Sequence, residues 1–196
     1  MPINSITRRH AVMLGAASSS FACSARPLTQ PESSAFGGNW RTGPALPVAV
    51  QEIYPTRYGG QIHLAGGFVS DGTTITGATD RHIGLDPMKG VWSDHAPLPV
   101  ARHHPNLISF SNRLFAIGGF EARSEQAVWV MQSGVWAYNG DDWSAVSDLP
   151  QPNGESVTAV LNNQLHVCGG RTPKGSQNAT WQDHSDVADH FSLAHD

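Results

Sequence analysis

Trp92, the pair Leu98-Pro99 and the run Arg113-Leu114-Phe115-Ala116-Ile117-Gly118-Gly119 decide the fold of this chain, because their spacing recurs on either side. Trp40, Leu46, Pro47, Gly66 and Gly67 keep it upstream; Trp143, Leu149, Pro150, Gly169 and Gly170 keep it downstream. In all three copies the Leu follows the Trp by six residues and the first Gly follows the Leu by twenty. The period is 52 and then 51 residues, while the residues between vary freely. Such self-similarity describes an array of one supersecondary unit stacked on its neighbours, not a single irregular core.

Each unit predicts a small antiparallel sheet. Pro105-Asn106-Leu107-Ile108-Ser109-Phe110 is an apolar run, Ser111-Asn112 a polar turn, and the run from Arg113 a second β-rich segment, which together read as a hairpin. Gly59-Gly60 ahead of Gln61-Ile62-His63-Leu64-Ala65 and Asn162-Asn163 ahead of Gln164-Leu165-His166-Val167-Cys168 repeat the pattern. A glycine pair at a strand end suits a place where two backbones approach closely. His82-Ile83-Gly84-Leu85 and Val135-Trp136-Ala137-Tyr138 read as third strands. Fourth strands carry Trp92 or Trp143, whose rings are expected to be buried between adjacent units. No long helical periodicity competes, so the chain reads as all-β.

A period near fifty with a tryptophan and a doublet glycine resembles the kelch repeat, here over residues 38 to 196. The resemblance implies a kelch β-propeller, whose blades are four-stranded sheets around a channel. Blade 1 is expected over about residues 48–96, blade 2 over about 100–147 and an incomplete blade 3 over about 151–196. Residues 38–43, with Trp40, read as an orphan closing strand. Two features depart from the family pattern. Arg102 has Val50 and Asn153 as counterparts, and the tyrosine often found before the glycine pair is replaced by His63, Phe115 and His166.

A ring needs about 4–8 blades, so three units imply a partial propeller, half of a ring of roughly six or seven. Two readings stay open. Either the chain is a truncated piece of a longer protein, or two chains close one ring by exchanging their Trp40 strands. In a monomer the outer edge near Phe191 and Leu193 would be unpaired, and self-association through such blade edges is expected.

Residues 1–25 read as an export signal: Thr7-Arg8-Arg9, then Ala11-Val12-Met13-Leu14-Gly15-Ala16-Ala17, with a small-residue exit at Cys23 and Ala25. The arginine pair resembles a twin-arginine leader, with an ordinary secretory leader and lipidation at Cys23 as alternatives. The expected location is therefore the periplasm. Residues 26–37, holding Pro27, Pro31, Ser33 and Ser34, read as a linker. No stretch approaches the ~20 apolar residues of a membrane span.

With 20 Gly, 13 Pro, 14% charged residues and a net charge of −4, the composition suits a turn-rich β protein. No basic stripe is present to neutralise phosphates, so nucleic acid is not an expected partner. Cys168, alone once the leader is removed, is expected to be a buried, inert thiol. His63 and His166 stand at equivalent places in different units, and consecutive His103 and His104 should point to opposite faces of a strand. No metal site is therefore expected, and no cofactor is implied.

Chemistry is expected at the channel mouth, where the segments leading into the innermost strands converge. The kelch resemblance nominates Glu52, His104 and Glu155 as channel-facing, with Arg102 and His103 beside them. Arg171, and with it Phe68 and Phe120, follows the glycine pairs and contributes from the adjoining loop. Carboxylate, imidazole and guanidinium groups there would bind a polar ligand, a carbohydrate, a peptide or a protein. They could also move protons, with Glu52, His104, Glu155 and Arg102 as catalytic candidates. The resemblance thus implies a binding module or, as in bacterial N-acetylneuraminate epimerases, a sugar mutarotase. A truncated chain without function is the third reading.

Overall fold

The computed structural model describes residues 39–194. The expected leader, with Arg8, Arg9 and Cys23, and the expected linker lie outside the described residues. The chain divides into two units at Arg41; the first contributes only residues 39–41 to the description, and none is in a strand.

In the first repeat the strands are β1 (Val50–Gln51), β2 (Thr56–Tyr58), β3 (Gln61–Ala65), β4 (Phe68–Ser70), β5 (Ile75–Ala78), β6 (His82–Asp86) and β7 (Val91–His95). The second repeat supplies β8 (Asn106–Phe110), β9 (Arg113–Ile117), β10 (Phe120–Glu121), β11 (Val130–Met131), β12 (Val135–Tyr138) and β13 (Trp143–Ala145). The third supplies β14 (Val157–Leu161), β15 (Gln164–Cys168), β16 (Arg171–Pro173), β17 (His184–Asp186) and β18 (His190–Ala194). Sheets β2-β3-β6-β7 and β8-β9-β12-β13 are four-stranded blades, and β14-β15-β18 is a three-stranded one. All their pairings are antiparallel. No helix among the described residues is long and apolar enough to cross a membrane.

The first hairpin of each blade closes through a left-handed dipeptide. Ser111 and Asn112 have φ of 49° and 59°, and Asn162 and Asn163 have 50° and 58°. Positive φ at both central positions matches the right-handed twist of the flanking strands, and asparagine tolerates it. Alternation along β9 then sends Leu114 and Ala116 against Ala65 and Leu98 of the first unit. Phe115 and Ile117, on the opposite face, pack with Leu165 and Val167 of the third. The core is thus two interblade layers.

In the first two pairs both glycines are required by backbone approach. A side chain on Gly66 would strike the Arg102 carbonyl, and one on Gly118 would strike that of Asn153, each in the following unit. The second glycine of each pair donates to those carbonyls, Gly67 N to Arg102 O at 2.8 Å and Gly119 N to Asn153 O at 3.1 Å.

Trp143 is buried, 8% exposed, and its indole N–H donates to Ala96 O at 2.9 Å. Trp92 makes the same bond to Pro44 O at 3.2 Å but is only half-buried, less than the sequence suggests, because among the described residues no blade packs on that side of its own. Trp40 is fully exposed, and residues 39–46 form no strand. The expected closing strand is not formed, since among the described residues no sheet edge pairs with it. Cys168 is exposed, not buried, because it lies on a face of the third blade that no other described residues cover. The ribbons β1-β4-β5, β10-β11 and β16-β17 were not legible in the sequence: strands this short and polar carry no alternation.

Candidate functional site

Those ribbons build the site. After each glycine pair the chain makes an excursion, and its first residue pairs with the segment leading into the innermost strand. Phe68 pairs with Gln51, Phe120 with His103 and Arg171 with Gly154. The next residues are Glu52, His104 and Glu155, all left-handed, with φ of 61°, 53° and 55°. Non-glycine residues avoid this region, so three equivalent occurrences are backbone strain imposed by the surrounding structure. The backbone links the blades there as well, His104 N donating to Glu52 O at 2.9 Å.

Side chains from all three blades then meet. His104 Nε2 lies 2.5 Å from one Glu52 carboxylate oxygen and 3.9 Å from Glu155. Arg171 stands 3.6 Å from the other oxygen of Glu155, and its guanidinium is stacked 4.7 Å from the Trp181 ring centroid. Trp181 is brought there by the third excursion, tied to β11 by Asn178, which accepts from Met131 N at 2.9 Å and donates to Met131 O at 3.0 Å.

His104 is 3% exposed, whereas the Glu52 and Glu155 side chains are 43% and 33% exposed. The carboxylates therefore face outward over a buried imidazole. Burial pushes His104 below its ordinary pKa, and the Glu52 and Glu155 charges pull it the other way. Tyr54 packs 6.0 Å from the His104 ring; burial and then the Glu155 and Glu52 charges raise its hydroxyl pKa.

His103 supports from beneath. Its ring is sandwiched between Phe68 at 3.7 Å and Phe120 at 5.1 Å, with Trp129 edge-on at 4.8 Å. Burial lowers its pKa to about 4, so the ring is neutral near pH 7. Its Nε2 donates to Val128 O at 2.8 Å, which leaves Nδ1 to accept from His104 Nδ1, also at 2.8 Å. His104 Nε2 and Glu52 then share one proton, because two facing lone pairs would repel at that distance. The expectation that His103 and His104 point to opposite faces is thus corrected: the left-handed φ of His104 breaks strand alternation and brings the rings together.

Of the nominated residues, Glu52, His104, Glu155 and Arg171 form the cluster and His103 underlies it. Arg102 is separated from it. Its buried guanidinium donates to Gly118 O at 2.9 Å and Gly134 O at 3.2 Å. Asn153, its counterpart, does the same for Gly169 O at 3.0 Å. This position clamps the first glycine carbonyl of its own unit, which explains why Arg and Asn interchange there. Tyr54, Trp129 and Trp181 were missed. Tyr54 has Asn106 and Val157 at corresponding places, so the repeat offered no signal. Among the described residues no group of three or more His, Cys, Asp or Glu has metal-holding geometry.

No family model matches the chain. The kelch-like protein terF of Aspergillus terreus is 25% identical over 158 residues, 76% of this chain and 33% of that protein. Kelch repeat protein M-T8 of myxoma virus is 28% identical over 160 residues, 78% of this chain and 29% of that protein. Kelch repeat and BTB domain-containing protein 13 of Homo sapiens is 30% identical over 137 residues, 66% of this chain and 27% of that protein. The kelch-repeat family is supported. Kelch relatives and the three blades fit a partial propeller, and this chain spans a third or less of the length of these relatives. They also correct one expectation: they come from a fungus, a virus and an animal, not from bacteria with a periplasm, so the periplasmic location is withdrawn.

Proposed function

We propose that this kelch-repeat chain is a protein-binding propeller module whose Glu52–His104–Glu155 cluster receives a basic side chain of the partner. The observation that carries this reading is the convergence of one left-handed position from three blades, with two carboxylates outward and the imidazole buried below. Arg171 lies 3.6 Å from Glu155 and His104 engages one oxygen of Glu52, and the remaining outward carboxylate oxygens are acceptors for the N–H groups of a lysine or arginine. The aromatic surround of Tyr54 and Trp181 suits the apolar stem of such a residue. Peptides selected from a random displayed library on the full chain should be enriched in Lys or Arg. Glu52→Gln and Glu155→Gln should each weaken the best of them roughly tenfold, about 1.4 kcal/mol. Selected peptides without basic residues, or equal binding by both variants, would sink the proposal.

A second reading, sugar mutarotation, draws on the proton shared between His104 and Glu52, an acid–base pair already in contact. Anomer equilibration of N-acetylneuraminate would be faster with the chain than without it, and slower again with His104→Gln. Unchanged rates remove this alternative.

A further inference from the structure

Arg102 is only 2% exposed, and its guanidinium forms no ion pair among the described residues. An isolated buried charge is costly, so buried cations are met by negative charge. Burial lowers the Arg102 pKa, and the Glu121 and Asp148 charges oppose this from a distance. Both acids have nearer partners: Arg123 Nε donates to Glu121 at 2.7 Å, and Ser133 Oγ donates to Asp148 at 3.3 Å.

The two bonds that Arg102 does make, to Gly118 O and Gly134 O, both come from Nη1. Its buried Nε has no partner, and neither has the buried indole Nε1 of Trp136, which packs on the layer between blades 1 and 2. These side chains face one place. The position of a Cβ on Gly134 lies 3.7 Å from Arg102 Nη2, 3.8 Å from Trp136 Nε1 and 4.0 Å from Arg102 Nη1. No heavy atom outside residues 133–135 is nearer to it. Guanidinium and indole nitrogens donate and do not accept. The space beside Gly134 is thus walled by donors and a positive charge.

We propose that Arg102, Trp136 and the space beside Gly134 form a buried binding site for a monatomic anion, chloride. An anion uses every donor that faces it and supplies the counter-charge that Arg102 needs, whereas a water there would turn its own hydrogens toward donors. The small space excludes a polyatomic ion. The repeat does not demand this arrangement. Val50, Arg81 and Ile83 hold the equivalent places in the first blade, and Asn153, Asp189 and Phe191 in the third. The site is therefore particular to the second blade. It shares no residue with the Glu52–His104–Glu155 cluster and is independent of the partner-binding reading.

Urea unfolding of the full chain at constant ionic strength, with chloride exchanged stepwise for gluconate, tests the proposal. Well above the dissociation constant, each tenfold rise in chloride should raise the folding equilibrium constant roughly tenfold. Gly134 lacks the left-handed φ of the paired glycines, and a methyl there meets its neighbours at ordinary contact distances. Gly134→Ala should therefore fold, fill the space and abolish the chloride dependence. Trp136→Phe, which removes one donor and keeps an aromatic ring, should raise the chloride concentration needed roughly fivefold. In crystals of the native chain grown with bromide, an anomalous peak is expected between Arg102 and the Trp136 indole. Stability indifferent to chloride overturns the proposal, as does a chloride dependence that Gly134→Ala leaves intact. The bromide experiment needs no variant: a water, or no peak, at that place also overturns it.

Discussion

The imidazole pair His63–His82 in the first blade and the pair His166–His190 in the third have the same construction. Each joins the middle residue of a second strand to the first residue of a third strand, with nitrogens 2.8 and 2.9 Å apart. Their surroundings differ. Tyr138 and Trp143 from the second blade lie 4.9 and 5.3 Å from the His82 ring, and both first-blade imidazoles are buried. Among the described residues no blade covers the third, where His190 is exposed. Burial drives His63 down to about 4 and His82 to about 3, with neighbouring imidazoles adding in the same sense. A repeat therefore specifies contacts inside the blade, while the neighbouring blade sets the electrostatics of those contacts.

The largest expected effect comes from removing that neighbour's roof. Trp143→Ala should cost about 3–5 kcal/mol in urea unfolding, since it empties an interblade core site. Trp92→Ala, half-covered, should cost about 1–2 kcal/mol. Trp40→Ala should stay within about 0.5 kcal/mol in the dilute monomer. Equal losses at Trp92 and Trp143 would show that the preceding blade contributes nothing.

Acid should act on the buried pair next. His63 and His82 titrate lower when folded than when unfolded, so the unfolded chain binds protons first as pH falls. Their contribution is complete above about pH 6.5 and is lost as pH falls through about 4 and then 3. His63→Gln with His82→Gln should flatten the stability profile across that window. An unchanged profile in that double variant would contradict the comparison.

The glycine pairs sharpen it further. Gly118→Ala meets both a left-handed φ of 57° and the Asn153 carbonyl of the next blade, and should cost about 2–3 kcal/mol by thermal melt. Gly169 has the same kind of φ, 64°, but its nearest neighbour is Val187 O at 3.8 Å. Gly169→Ala should therefore cost only about 1–2 kcal/mol. Last, Cys168 in the dilute chain should alkylate readily, whereas a cysteine placed at its first-blade equivalent by Ala65→Cys should resist. Similar rates would mean that the two faces are equally open.

Spacing alone revealed the three units, their hairpins and the Trp and Gly-Gly positions, because one residue type recurring at one interval must occupy one structural role, whereas Glu52, His104 and Glu155 were nominated by the kelch resemblance. Arg102 and His103 show where that reasoning stops. Both sit beside His104 in the chain, yet one clamps the Gly118 carbonyl and the other supports His104 from below. Side-chain direction there follows from a left-handed backbone that residue identity does not announce, since non-glycine residues seldom adopt it. Trp129 and Trp181 come from excursions that differ in every unit, and Tyr54 has Asn106 and Val157 as counterparts, so periodicity could not point to them.

The interval of the repeat was enough to specify an all-β array and the equivalence of its blades, since those depend on local hydrogen bonding and alternation within about fifty residues. Burial was settled by neighbours. Equivalent residues His63 and His166, Ala65 and Cys168, Trp92 and Trp143 differ in exposure because interblade packing joins segments a full repeat apart. That contact is a property of the assembled stack, and no single unit encodes it.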